Sequence, residues 1–211
     1  MVLKILLVSK NLIFRTPLKI NEMRKNKKYL YLGYIIPAIF WITLIICGLM
    51  TENYNHFVNA VSELGRIGTE TQYIFTIGLV ICSILSILFC IGLYKTAKDL
   101  KLNPSPILLI LTFSFSILGA AVFPLPLGLH GILGSPSMFL PLSPLFALIL
   151  WENASIQNIK IGSGLILALM ILGFLTFIPN FMDNYFGLKQ RFFHFAWTFW
   201  FVFLSYKFLR L

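Results

Sequence analysis

The chain is 211 residues long, 58% hydrophobic and only 11% charged, with a mean hydropathy of +0.87. A soluble domain of that length cannot bury so much apolar surface, so composition excludes an ordinary soluble globule and points to a bilayer. The net charge of +10 reads as membrane topology and attraction to anionic lipid, and nucleic acid is not an expected partner.

Residues 1–28 form a basic tail carrying Lys4, Lys10, Arg15, Lys19, Arg24, Lys25, Lys27 and Lys28. Its first stretch, MVLKILLVSKNLIF, is too short and too interrupted by lysine to span. It also lacks the small-residue cleavage site of a secretory signal. Met23, directly before RKNKKYLYLGY, offers a second natural start beside Met1.

Residues 29–211 form one membrane domain. A spanning helix needs about 20 mostly apolar residues, and six runs meet that length: Tyr29 to Met50, Gln72 to Tyr94, Pro106 to Phe123, Gly131 to Trp151, Ile161 to Pro179 and Lys189 to Leu209. The runs are continuous rather than alternating, so the fold class is all-α, a polytopic bundle of six transmembrane helices rather than a barrel. Cys47, Cys82 and Cys90 fall inside spans with no paired spacing, as small buried residues do.

Fourteen of the seventeen lysines and arginines lie in the tail, after the second span, before the fifth or after the sixth. The positive-inside rule therefore places both termini in the cytoplasm, in a prokaryotic inner membrane. On the opposite side lie all three histidines, His56, His130 and His194, with Glu52, Glu63, Glu70 and Asp183. Ionisable groups at membrane depth are costly, so that gathering is the main functional clue.

Three segments carry the polar chemistry. HFVNAVSELGRIG, His56 to Gly68, reads as a short amphipathic helix in the first outer loop, with His56, Asn59, Ser62, Glu63 and Arg66 on a polar arc. Gln72, Thr76 and Ser83 mark one face of the second span; Gln190, Arg191, His194, Thr198 and Ser205 mark a polar stripe on the sixth. FPLPLGLHGILGSPSMFLPLSP holds five of the ten prolines. It predicts a non-helical exit from span three, a broken outer half of span four, and a cavity wall near His130.

These segments together, HFVNAVSELG after span one, FPLPLGLH after span three and GLKQR before the aromatic FAWTFW, resemble the domain-of-unknown-function 998 family of six-span prokaryotic membrane proteins. The resemblance runs from about residue 30 to 209. It implies the membrane fold and names no activity. The family often has an acidic residue after the FP, where this chain has Leu125 and Pro126.

Three functional readings follow, and the sequence alone leaves open whether the protein is an enzyme. In the first, the protein binds or moves a membrane lipid or small amphiphile in a polar cavity on the extracytoplasmic side, with Arg66, His130, Gln190, Arg191 and His194 as ligand-binding candidates and Glu63 assisting. In the second, His56, His130 and His194 hold zinc, and Ser62, Glu63 or Asp183 orients or activates water in an intramembrane hydrolase. That set departs from superfamily enzymes with two histidines a turn apart in the last span, because His194 stands alone there. The third reading is a non-catalytic structural subunit. A histidine near Glu63 would also make the outer cavity sensitive to pH.

Overall fold

A computed structural model describes residues 27–152 and 156–211. The expectations for the basic tail before Lys27, including the alternative start at Met23, lie outside the described residues. Seven α-helices follow in chain order: α1 (Leu32–Met50), α2 (Gln72–Asp99), α3 (Ser105–Val122), α4 (Gly128–Gly134), α5 (Leu142–Leu150), α6 (Ile159–Leu172) and α7 (Phe186–Leu209). α1 packs on α2, α2 on α3, α3 on both α4 and α5, α5 on α6 and α6 on α7, and α7 also packs on α1.

Among the described residues, five stretches are long and apolar enough to cross a membrane: Lys27–Met50, Gln72–Asp99, Ser105–Val122, Gly128–Leu150 and Ile159–Phe177. The sixth expected span is α7. Its 24 residues reach about 36 Å at about 1.5 Å per residue, but its inner face carries Lys189, Gln190, Arg191, Thr198 and Ser205 in place of a continuous apolar surface.

That inner face is the hub of the bundle. Trp197 packs on Phe40 of α1 with ring centroids 4.9 Å apart and on Phe113 of α3 at 5.3 Å, and Phe201 packs on Phe89 of α2 at 5.4 Å. The Trp200 indole N–H donates to the Ser143 hydroxyl of α5 at 2.9 Å, and Ser143 passes the bond on to the Pro106 carbonyl at 2.7 Å. Trp197, Trp200, Phe201 and Leu204 are all fully buried. Indoles suit such a site because they bring large apolar area with one donor that can be satisfied.

The proline-rich segment breaks as expected. The chain leaves α3 at Val122, runs irregularly to Leu127, and crosses its second half as α4, a 3-10 turn over Ser135–Phe139, and α5. Carbonyls freed by the break find Ser116 of α3, whose hydroxyl lies 2.9 Å from the Leu133 carbonyl and 2.6 Å from that of Gly134, and whose oxygen accepts the Ser137 amide at 3.0 Å.

The loop between α1 and α2 differs from the expected amphipathic helix: it is a series of turns with one 3-10 turn, Val61–Gly65. Local side-chain bonds win there. Asn55 accepts the Phe57 amide at 2.9 Å and Asn59 accepts the Asn55 amide at 2.8 Å, which satisfies the backbone without a helix. Glu63 then accepts the Ala60 amide at 3.2 Å and opens the 3-10 turn.

α1 lies very close to α7 at Gly33, where an added Cβ would sit 2.7 Å from the Phe201 carbonyl oxygen and 2.8 Å from Ser205 Cβ. Gly33→Ala therefore forces the helices apart at an overpacking cost of about 1–3 kcal/mol. A thermal melt in detergent is expected to show unfolding several degrees lower than the native protein; an unchanged melt would remove this contact from the account of the bundle.

Candidate functional site

At the end of the bundle formed by the start of α2, the end of α3 and the start of α7 lies a partly open cavity of about 340 Å³. Its walls are mostly apolar, from Phe40, Phe75, Phe113, Phe193 and Trp197 among others. Its polar groups come from Ser62, Thr76, Ser116, His130, Gln190 and His194, and from Ser135, Ser137 and Thr176, whose hydroxyls donate to backbone carbonyls. Part of its rim is apolar and exposed, at Met138, Phe174 and Phe177.

The hydrogen bonds fix which way each histidine points its proton. The Trp197 indole N–H donates to His194 Nδ1 at 3.0 Å, so neutral His194 carries its hydrogen on Nε2. That Nε2 is buried and has no partner. His130 is the reverse case: its Nδ1 lies 3.0 Å from both the Ala120 and Phe123 carbonyls, which only accept. Nδ1 therefore holds the proton, and Nε2 of neutral His130 keeps a lone pair. Gln190 uses its amide oxygen to accept the Val61 N–H at 2.8 Å, which leaves the amide hydrogens on its other atom.

Arg191 does not line the cavity; it holds the wall that does. Only 6% exposed, it donates to the Asn59 carbonyl at 3.1 Å, the Gly187 carbonyl at 2.9 Å, the Tyr54 hydroxyl at 2.7 Å and His56 Nδ1 at 3.0 Å. Tyr54 in turn donates to the Ala60 carbonyl at 3.0 Å. Beside it the first amides of α7, Gly187 and Leu188, donate to the Val58 and Phe57 carbonyls, so the loop also satisfies the orphan donors of the helix start. Gly187 has to be glycine for this approach, because a Cβ there would meet the Asn59 and His56 carbonyls. Lys189, 2% exposed, donates to the Phe181 carbonyl at 2.7 Å.

The structure thus gathers Ser62, His130, Gln190 and His194 around one cavity and separates the other candidates from it. His56 is engaged by Arg191 and packs over Gly48. Glu63 bonds within its own loop, to Asn59 at 2.8 Å and to the Ala60 amide. Arg66 and Asp183 are exposed. Among the described residues no three His, Cys, Asp or Glu side chains come together as a metal would need. The donor set agrees: His56 and His194 each spend the Nδ1 lone pair on an N–H donor, and their remaining nitrogen bears hydrogen.

Tyr54, Trp197 and Ser116 have no place among the sequence-derived candidates, yet they set the loop, one histidine tautomer and the broken helix. Only the aromatic FAWTFW motif hints at Trp197.

A family profile described as "Protein of unknown function (DUF998)" matches residues 34–207, nearly all of the membrane domain. The chain belongs to this family. No curated protein and no solved structure matches it. The family match covers the loop, the proline-broken helix and α7, so it takes in every residue of the cavity.

Two outcomes follow from the Arg191 cluster. Arg191→Met leaves Tyr54, His56 and two carbonyls without their donor, at a cost of about 2–5 kcal/mol. It is expected to make the loop around Asn59 a site of limited proteolysis that the native protein resists. Burial, and then the Arg191 charge, lower the His56 pKa from its ordinary 6.5. The unfolded chain therefore binds the proton first, so this stabilisation is complete above pH 6.5 and is lost as the pH falls toward the lowered folded value. Melting temperatures are expected to drop across that window in the native protein and to drop less in His56→Gln.

Proposed function

We propose that the protein binds a membrane lipid or other small amphiphile in this cavity and holds or passes it at the extracytoplasmic face of a prokaryotic inner membrane. The observation that carries the reading is the buried, unpartnered N–H of His194, a residue of the cavity wall, beside a rim at Met138, Phe174 and Phe177 that is apolar and exposed. A polar head satisfies the first and acyl chains cover the second. A volume of about 340 Å³ falls at the small end of ligand pockets, enough for a head group with chains trailing into the bilayer.

The cavity's place in the bundle supports the orientation. α2 starts at the cavity and ends at Asp99, so Lys95, Lys98 and Lys101 lie at the far end, together with Lys207, which donates to the Gln157 carbonyl at 2.7 Å, and Arg210, stacked 4.1 Å over Tyr206. Cytoplasmic termini and an outward cavity follow from the positive-inside rule. Binding is favoured over zinc-dependent hydrolysis because, among the described residues, His56 is held by Arg191 in the loop while His130 and His194 line the cavity, so the three do not come together around one ion.

Thr76 lines the cavity, and Thr76→Phe fills it. Lipid extracted with the purified native protein is expected at near-stoichiometric amount and to fall severalfold in this variant at unchanged melting temperature; equal lipid in both would count against the cavity as the site. Ser62→Cys is expected to react with an impermeant thiol reagent applied to the periplasmic side, and Lys98→Cys is not. The reverse pattern would invert the orientation.

A further inference from the structure

We propose that the cavity selects an uncharged amphiphile whose head offers both a hydroxyl donor and carbonyl acceptors, as a partly acylated glycerol does. This rests on the binding function above and names the ligand class for that same site.

The polarity of the cavity's polar groups decides the class. His194 presents a buried N–H with nothing to receive it. Gln190 has its oxygen taken by Val61 and retains amide hydrogens. Both groups call for acceptors on the ligand. His130 has spent its proton on the Ala120 and Phe123 carbonyls, and its Nε2 lone pair calls for a donor. A carbonyl-bearing head with one free hydroxyl answers all three.

An anionic head answers them badly. Neither Arg191 nor Lys189 lines the cavity, and both are occupied: Arg191 by the Asn59 and Gly187 carbonyls, Tyr54 and His56, Lys189 by the Phe181 carbonyl. Moving a charge into such a site without a contacting counter-ion is costly. A fully ionised phosphate or carboxylate also has no hydrogen to give His130, so its oxygens would face that lone pair unpaired. A hydrocarbon without a head would leave the His194 N–H orphaned.

The apolar rim sets the route. The 3-10 turn at Ser135–Phe139 packs on α3, and a second 3-10 turn, Gly173–Phe177, packs on α7. Met138 on the first and Phe174 and Phe177 on the second are exposed at the mouth, so chains attached to the bound head emerge among lipid tails rather than into water.

The test titrates the full-length protein in detergent with three probes of equal chain length: 1,2-dioctanoylglycerol, its 3-acetyl derivative, which lacks the hydroxyl, and dioctanoyl phosphatidate. Tryptophan fluorescence reports occupancy, because Trp197 lies in the cavity wall. Dioctanoylglycerol is expected to bind saturably. Capping the hydroxyl weakens binding by about tenfold, as loss of one buried hydrogen bond does, and phosphatidate binds no better than the capped probe. His194→Phe, which removes the N–H for a ligand carbonyl, weakens the parent probe by a similar factor; the capped probe tests the other contact, to His130, on the native protein even where that variant folds poorly. Phosphatidate binding as tightly as dioctanoylglycerol, with both lost in Thr76→Phe, would overturn the ligand class and leave the cavity as a binding site. Equal binding of the capped and free probes would also overturn it. Binding of no probe, or binding that Thr76→Phe leaves unaltered, would overturn both the class and the site.

Discussion

A buried guanidinium that contacts no carboxylate among the described residues constrains everything at the cavity end of this bundle. Arg191 keeps its charge in every environment a protein offers, and its two terminal nitrogens are met by the Gly187 carbonyl of its own helix and by Asn59, Tyr54 and His56 of the loop between α1 and α2, while its Nε has no partner. Carbonyls, a phenol and an imidazole do the work usually given to an acid. Because the loop also forms one wall of the cavity through Val61, Ser62 and Gly65, the shape of the site is set by a residue that never touches it.

The same helix supplies the core and the chemistry. Going up α7, Trp200 ties to α5, Trp197 packs against α1 and α3 while donating to His194, and Gln190 anchors the 3-10 turn of the loop. Trp197 is therefore both a packing residue and the group that decides which nitrogen of His194 carries hydrogen. Packing and polarity are coupled in one side chain, so the site is held by a rigid element rather than by the loop alone.

Much of this was legible in the sequence, and the remainder was hidden for identifiable reasons. The apolar runs gave the spans to within a few residues, and the proline spacing located the break between Gly134 and Leu142. The polar stripe on the last span and the histidine after FP marked two walls of one cavity. What the sequence could not carry were bonds to backbone acceptors: those of Arg191 and Lys189 leave no trace in residue spacing, which made Arg191 look like a ligand contact when it is a structural tie. The turn at Asn55 and Asn59 was masked in a similar way, because an amphipathic arc fits those side chains as well as the self-capping they adopt. Ser116 is one hydroxyl among many in an apolar helix; only the place where the broken segment comes to rest shows its role.

The packing of α7 also bears on how the core is completed. The aromatic faces of Phe40, Phe89 and Phe113 and the Ser143 hydroxyl all await side chains from the helix that leaves the ribosome after the others. That late helix does not match the five stretches apolar enough to cross on their own, so its entry leans on surfaces its predecessors have left open. The buried core around Trp197, Trp200 and Phe201 is therefore complete only once that helix is in place.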